Sequence, residues 1–581
     1  MAATLYINTN SDNIHDTLEV DLETLLVLNV YKICDIGNIK LEIIPKKDLE
    51  KPLFKTKCDS NVTIGEGRPH NTQSEMVNYV KLPALVQDIQ GSKSIVAGIC
   101  SVARQLIKCS LDNNALFLLG FRESCLAACS ESSIWTKFCE VDMVSTVRNV
   151  LNDVNENNAT KLLIPDDLVR FEYHMQQPVR MHNVYKVARD TQKDKSIKST
   201  VPISELNIPH CYSEGPAMTL ADIILLPSII TLMSSKYSEE IFMKYLPLTY
   251  QWIQKMKDFD GYQKLVEFNL NIDEAIVNYD ECLINQEIKK ESLYTSDPNR
   301  YKPTNRIYTK QNDIESALNI IQSSAISIIE NSDEPFGTEV EFNWEDIPMM
   351  LRPEGGALPK KRSKRKEEQL ENLARAVVKL AKIGKTNGNI KIVDFCSGSG
   401  HLGLLLAHLL PDCTIILVEN KEKSLERALD RIKSLNLSNV IVVQSNLDYF
   451  QGSFDIGVSL HACGVATDLV MQSCIDNRAH FVCCPCCYGG IHDCYHLKFP
   501  RSVEFQEGVQ VADYLKIAHA ADQTHDKENA KTSQGYHCMD IVDSDRWLYA
   551  KSCGYDVFLS KLKPETCTPK NNMLVGICLD N

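Results

Sequence analysis

A chain of 581 residues is too long for one hydrophobic core and should divide into two or three domains. Its apolar share of 44% and charged share of 24% are those of an ordinary globular protein. A formal net charge of −14 excludes a protein that coats nucleic acid or anionic membrane non-specifically.

The opening MAATLYINTNSDNIHDTLEV has no basic region ahead of an apolar run, so no secretion signal is expected. The 22 cysteines are then read as reduced thiols, not as a disulfide framework. Residues 1–90 read as short β-type runs, TLLVLNVYKI, IKLEIIP and MVNYVKLPALV, between polar turns. From about residue 91 the pattern becomes helical and stays so to about 270, interrupted by a polar stretch over 186–214. That stretch has too few large apolar side chains to offset the entropy of ordering and reads as an exposed loop. The run LADIILLPSIITLM (220–233) is too short for a bilayer and contains Asp222 and Pro227, so a buried helix is expected and no membrane partner. Thr219 stands three residues before Asp222 at its start, the spacing of a capping box.

Residues 271–368 are poorly patterned and punctuated by Pro335, Pro348, Pro353 and Pro359; they read as a linker. The basic run PKKRSKRK closes it. It is either a nuclear-import or RNA-contacting segment or a solvated lead-in to the next helix.

From residue 369 to 581 helix and strand alternate: KIVDF, HLGLLLAHLL, TIILVE, LERALDRIKSL, VIVVQ, FDIGVSL, then HFVCC. Alternation of this kind builds a mostly parallel sheet with helices on both faces. The end departs from it. After the helical DSDRWLYAKSCG come YDVFLSKL and NMLVGIC with no room for a helix between them, so these two strands must be antiparallel neighbours.

The loop VDFCSGSGHLG (393–403) leaves the first of these strands. Gly398, Gly400 and Gly403 have the spacing of a dinucleotide loop, but Asp394 would repel a pyrophosphate at the following helix terminus. A carboxylate there suits a ligand with a positive amino group, as in the methionine part of S-adenosylmethionine. Glu419, at the end of the second strand, is placed for ribose hydroxyls, and Asn446 and Leu447 follow the third, where an adenine edge is held. The expected cofactor set is Asp394, Cys396, Gly398, Gly400, Gly403, Glu419, Asn446, Leu447 and His461.

The fourth strand runs into SLHACGVATD and the fifth into FVCCPCCYGG. In open α/β sheets the chemistry lies beyond the carboxyl ends of the strands, so His461 and Tyr488 are the catalytic candidates. His461 either takes a proton from the acceptor or holds the loop backbone. CxxC spacing at Cys483/Cys486 and Cys484/Cys487 invites a zinc reading. Alternate strand residues face opposite ways, however, so no metal site is expected and Cys486 to Tyr488 are read as a pocket wall.

Taken in order, TLADIILLP, YLPLTYQWIQKM, VDFCSGSGHLG, SLHACGVATD, CPCCYGG and PKNNMLVGI closely resemble the glutathione S-transferase C-terminal domain-containing protein family. The resemblance implies a multidomain chain. Residues 1–90 would be a degenerate thioredoxin-like domain with Pro83 as its cis-proline, and residues 91–270 an all-α glutathione-transferase C-terminal-like domain. Residues 369–581 would be a Rossmann-like class I methyltransferase domain with a mostly parallel seven-stranded sheet. It further implies a cytoplasmic protein and S-adenosylmethionine as cofactor. Residues 1–35 offer no Tyr, Ser or Cys placed to activate glutathione, Cys34 lying too deep in an apolar segment, so conjugation is disfavoured. HACGVATD is also similar to a segment of the eukaryotic acceptor-stem tRNA 2′-O-methyltransferase, which points toward RNA. No Lys–Asp–Lys–Glu set and no (N/D)PP(Y/F) motif fixes the acceptor atom. RNA and protein both stay open as acceptors, a protein partner for the helical domain stays open too, and the alternative reading is a non-catalytic scaffold.

Overall fold

The computed structural model describes residues 2–10, 17–34, 36, 39–46, 49–57, 62–64, 76–89, 92–152, 161–270, 281–294, 310–324, 326–356, 360–383, 389–492, 494–524 and 529–579. The chain forms two compact units, one of residues 1–89 and 95–305 and one of residues 90–94 and 306–581.

In the first unit, strand Ala2–Thr9 pairs parallel with Ile39–Pro45 and antiparallel with Ala84–Ile89. The Leu82–Pro83 peptide bond that precedes the latter is cis. TLLVLNVYKI is not a strand. It belongs to helix Leu22–Ile33, which is buried at Leu22 and at every residue from Thr24 to Val30. Asp21 is its N-cap and accepts the Thr24 N–H at 2.9 Å. A continuous apolar run buried on all sides has no period to separate helix from strand; the cap decided it.

Helix Leu220–Ser235 is buried almost throughout, as expected. Asp222, fully buried, accepts the Thr219 N–H at 2.8 Å, the Ser213 N–H at 2.7 Å and the Trp252 indole N–H at 2.8 Å. The capping acid thus also anchors a loop and a later helix. The polar stretch 186–214 is not simply an exposed loop: helix Val184–Gln192 packs Val184, Tyr185 and Ala188 with Leu206 into a small core of its own. Partly buried Met181, Ile197, Val201, Ile203 and Ile208 pack against it. Among the described residues, no single helix is long and apolar enough to cross a membrane.

Among the described residues of the second unit, seven strands lie in the order Tyr555–Lys561, Asn572–Cys578, His480–Cys484, Ile456–Leu460, Lys391–Phe395, Thr414–Glu419, Val440–Gln444. All pairings are parallel except those of Asn572–Cys578, which runs against both its neighbours. This is a methyltransferase-like Rossmann fold. The order reverses between Lys391–Phe395 and Ile456–Leu460, so a crevice opens beyond the carboxyl ends of these central strands. Part of the stretch read as a linker belongs to this unit: helix Gln311–Ser323 buries Ile314, Ala317 and Ile321 in its core. The prolines that suggested a linker all lie C-terminal to that helix.

Candidate functional site

The glycine loop is held by carboxylates from two strands. Asp394 Oδ2 accepts the Gly403 N–H at 2.8 Å, Glu419 Oε2 accepts the Gly398 N–H at 2.9 Å and Glu419 Oε1 the Lys421 N–H at 2.9 Å. Cys396, Gly398 and Gly400 all have positive φ, so the chain folds back sharply before helix His401–Leu409 begins. A Cβ on Gly403 would stand 2.2 Å from Leu417 Cδ2 and 3.0 Å from Asp394 Oδ2; only glycine lets the helix approach the strand and reach the acid. At Gly398 a Cβ would meet nothing within 4 Å, so that side of the loop faces open space.

Burial lifts the Asp394 carboxyl to about 7, against the pull of the Gly403 N–H and of Lys366. Lys366 itself is drawn down to about 8 by burial, with Asp394, Cys484 and Cys486 opposing. Asn446 is buried and opens the short 3-10 turn Leu447–Tyr449 at the end of the third strand. All of the expected cofactor residues except His461 thus lie at or just beyond the ends of three adjacent strands.

His461 lies at the end of the fourth strand with φ 74°, its ring turned toward helix Lys360–Ile383. Its Nε2 is 3.0 Å from Gln369 Oε1, while Gln369 Nε2 donates to the Cys567 carbonyl at 2.9 Å. That second bond fixes the amide, so Oε1 faces the imidazole and His461 Nε2 must carry the proton. The lone pair is then on Nδ1. Partial burial of the ring, with Lys366 second, holds His461 below the usual imidazole range, so the neutral form prevails.

Tyr488, the other catalytic candidate, is packed in a buried core cluster. It is 1% exposed, and its hydroxyl donates to Asp543 Oδ2 at 2.6 Å within a buried network. Arg546 bonds Asp468 at 3.0 and 2.6 Å and Asp543 at 3.0 Å in the same network, and Asn572 donates to Asp543 at 2.6 Å. The strand-end position that suggested a site residue instead carries an anchor for the loop after the fifth strand.

The cysteines sort differently from their spacing. Cys483 and Cys484 are buried in the strand, but Cys486 and Cys487 leave it and meet Cys463 of the fourth-strand loop. Hydrogen bonding from Cys463 first, then Cys486, holds the Cys487 thiol well below the usual range.

Three site residues escaped the motifs. Lys366 and Gln369 lie on the basic-run helix, which starts at Lys360. Arg362, Lys364 and Arg365 are exposed, as a solvated run would be, yet Ser363, Gln369, Leu370 and Leu373 are buried. Spacing by three and four along that stripe was the available signal. Arg431, from helix Glu422–Leu435, donates to the Ser399 carbonyl at 3.1 Å and to the Met350 carbonyl at 3.0 Å, bracing the loop. It carried no signal in the sequence.

A sequence model described as a methyltransferase domain matches residues 365–494, which contain this crevice. The chain is 41% identical to the Drosophila melanogaster glutathione S-transferase C-terminal domain-containing protein homolog, covering 96% of each. It is 31% identical to the Homo sapiens glutathione S-transferase C-terminal domain-containing protein, over 96% of this chain and 95% of the relative. The chain belongs to the glutathione S-transferase C-terminal domain-containing protein family. Among solved structures, a Podospora anserina methyltransferase bound to SAH aligns with TM-score 0.25 and 10% identity, over 46% of this family member and 96% of that chain. Magnesium protoporphyrin IX methyltransferase from Synechocystis aligns with TM-score 0.24 and 11% identity, over 39% of this chain and 88% of that one.

Proposed function

We propose that this chain is an S-adenosylmethionine-dependent methyltransferase, its acceptor an RNA or a protein. The observation that carries the reading is the pairing of a buried Asp394 and Glu419 around a glycine loop whose Gly398 faces open space. A positive amino group answers the acid at Asp394, and ribose hydroxyls answer the remaining acceptor capacity of Glu419. Asn446 and Leu447 border the adenine side.

When bound, S-adenosylmethionine supplies an electrophilic methyl group on a sulfonium. The chain's own part is to orient the acceptor and receive its proton. His461 Nδ1, the lone-pair nitrogen fixed by the Gln369 amide, takes that proton. Lys366 sets the charge beside Asp394.

The first unit we read as a degenerate thioredoxin-like and glutathione-transferase-like module that recognises the acceptor or a partner protein. Supporting this is Cys34, which is buried and whose thiol burial pushes up to about 12, far from a nucleophile.

The test is calorimetry of the full chain with S-adenosylmethionine, then tritiated-methyl transfer to fractionated cell extract with and without ribonuclease. Glu419→Ala should weaken binding about ten- to a hundred-fold, and NAD should give no heat. Unchanged affinity of Glu419→Ala would overturn the cofactor assignment. Label that survives ribonuclease but not protease would assign a protein acceptor.

A further inference from the structure

Beside the cofactor crevice, the loops after the fourth and fifth strands bring three thiols to one point. Cys463 Sγ is 3.2 Å from Cys486 Sγ and 3.3 Å from Cys487 Sγ, and the last two are 3.5 Å apart. Cys463 and Cys487 are exposed and Cys486 is half-buried, so the cluster is reachable from solvent. Among the described residues no other three thiols converge in this way.

The convergence is built by the backbone. The Gly464 N–H donates to the Cys487 carbonyl at 2.8 Å. Gly464 has φ 59°, and a Cβ on it would stand 2.3 Å from the Gly490 carbonyl oxygen, so the two loops touch through glycines. Behind them Asp522 accepts the N–H groups of Tyr488 at 3.1 Å and Gly489 at 3.0 Å. The buried Tyr488–Asp543–Arg546–Asp468 chain ties the same loop to helix Val465–Asp476, which begins just after Cys463. The thiols are therefore held from both sides by rigid elements.

We propose that Cys463, Cys486 and Cys487 form a zinc site with an open fourth position. Tetrahedral thiolate sites have metal–sulfur distances of about 2.3 Å, which places neighbouring sulfurs about 3.8 Å apart. The observed separations of 3.2, 3.3 and 3.5 Å need to open by about half an ångström. Soft thiolate donors select zinc over magnesium or calcium. Binding replaces the thiol protons, which leave to solvent, and gives a three-thiolate zinc centre with one net negative charge. Lys366 and Lys570 both lie near enough to Cys486 to interact with it electrostatically and offset that charge. Three protein ligands leave the fourth position to water or to a donor atom of the acceptor, the pattern of a reactive site and not a closed structural one. Cys463 lies two residues beyond His461 on one loop, so a ligand at that position sits beside the proposed proton acceptor.

The experiment uses the full chain, reduced and handled without oxygen, incubated with excess zinc sulfate and then desalted. Elemental analysis should give one zinc per chain. Cys463→Ser, Cys486→Ser and Cys487→Ser should each weaken zinc binding about ten-fold or more, while Cys553→Ser keeps it. Cobalt(II) placed in the unaltered chain should show thiolate-to-metal charge transfer and the strong visible bands of tetrahedral geometry, a readout that needs no variant to fold. Absence of stoichiometric zinc in the reduced chain, full retention by Cys463→Ser, or an octahedral cobalt spectrum would each overturn the proposal. S-adenosylmethionine calorimetry on the same samples keeps this site separable from the methyltransferase reading, since zinc binding and cofactor binding are scored independently.

Discussion

Asp394 Oδ2 and the Gly403 N–H meet at 2.8 Å, so the acid near the end of the central strand is tied to the helix following the glycine loop. The bond spends one carboxylate lone pair on the fold itself. Its pKa of about 7 makes the crevice sensitive to pH near neutrality.

Between the ordinary value of 3.8 and about 7 the folded chain keeps a proton on Asp394 that the unfolded chain releases. This group's contribution to stability is therefore fully present below that window and is lost as pH rises through about 7. Cofactor binding runs the other way, because the amino group needs the ionised carboxylate. Affinity for S-adenosylmethionine should rise by up to about ten-fold per pH unit below neutrality and then level off. Calorimetry across that range checks it; Asp394→Asn should flatten the profile.

Two glycines of one loop should fail in different ways. Gly403→Ala drives a methyl into Leu417 and Asp394 and should cost about 1–3 kcal/mol by denaturant unfolding. Gly398→Ala meets no atom within 4 Å, so its cost is the left-handed backbone alone, about 1–2 kcal/mol. Its new methyl enters the space assigned to the cofactor. Affinity should drop for Gly398→Ala beyond what its modest instability explains.

Asp222 should behave as a hub and not as a simple cap. Alanine there strands the Ser213, Thr219 and Trp252 donors, all buried, and should destabilise by about 3 kcal/mol or more, above the roughly 1 kcal/mol of a lone cap. Chemical denaturation measures it. The same protein should show no conjugation of glutathione to an aromatic chloride above background, before or after the change.

Tyr488→Phe and His461→Ala separate anchoring from chemistry. Tyr488→Phe removes a buried bond to Asp543 and should lower stability by about 1.5–3 kcal/mol while methyl transfer survives. His461→Ala should leave cofactor affinity within a few-fold and abolish transfer. Gln369→Ala should reduce transfer partly and shift its pH profile, because the ring loses the partner that fixes its tautomer. Full activity in His461→Ala would reduce that side chain to a loop brace.

Local pattern determined much of this protein. The alternation after residue 369, the missing helix before Asn572–Cys578 and the acid four residues ahead of Gly398 were enough to place the sheet and the crevice, because strand polarity and connection length leave few topologies. The Thr219–Asp222 spacing likewise announced its helix. Tertiary structure decided what periodicity cannot express. TLLVLNVYKI carried no readable period because burial on all faces erases the difference between helix and strand, and the Asp21 cap settled the helix. Lys366 turned inward from a basic run because the apolar stripe of Leu370 and Leu373 sets the helix's rotation, whatever the charge around it. Asp222 gained Trp252, and Tyr488 gained Asp543, from helices 30 and 55 residues away. Most decisively, the spacing of CPCC pointed within one strand, whereas Cys486 and Cys487 found Cys463 across 23 and 24 residues. Parallel neighbours deliver their carboxyl ends to the same edge, so residues distant in the chain meet there, and only the folded sheet sets which side chains do.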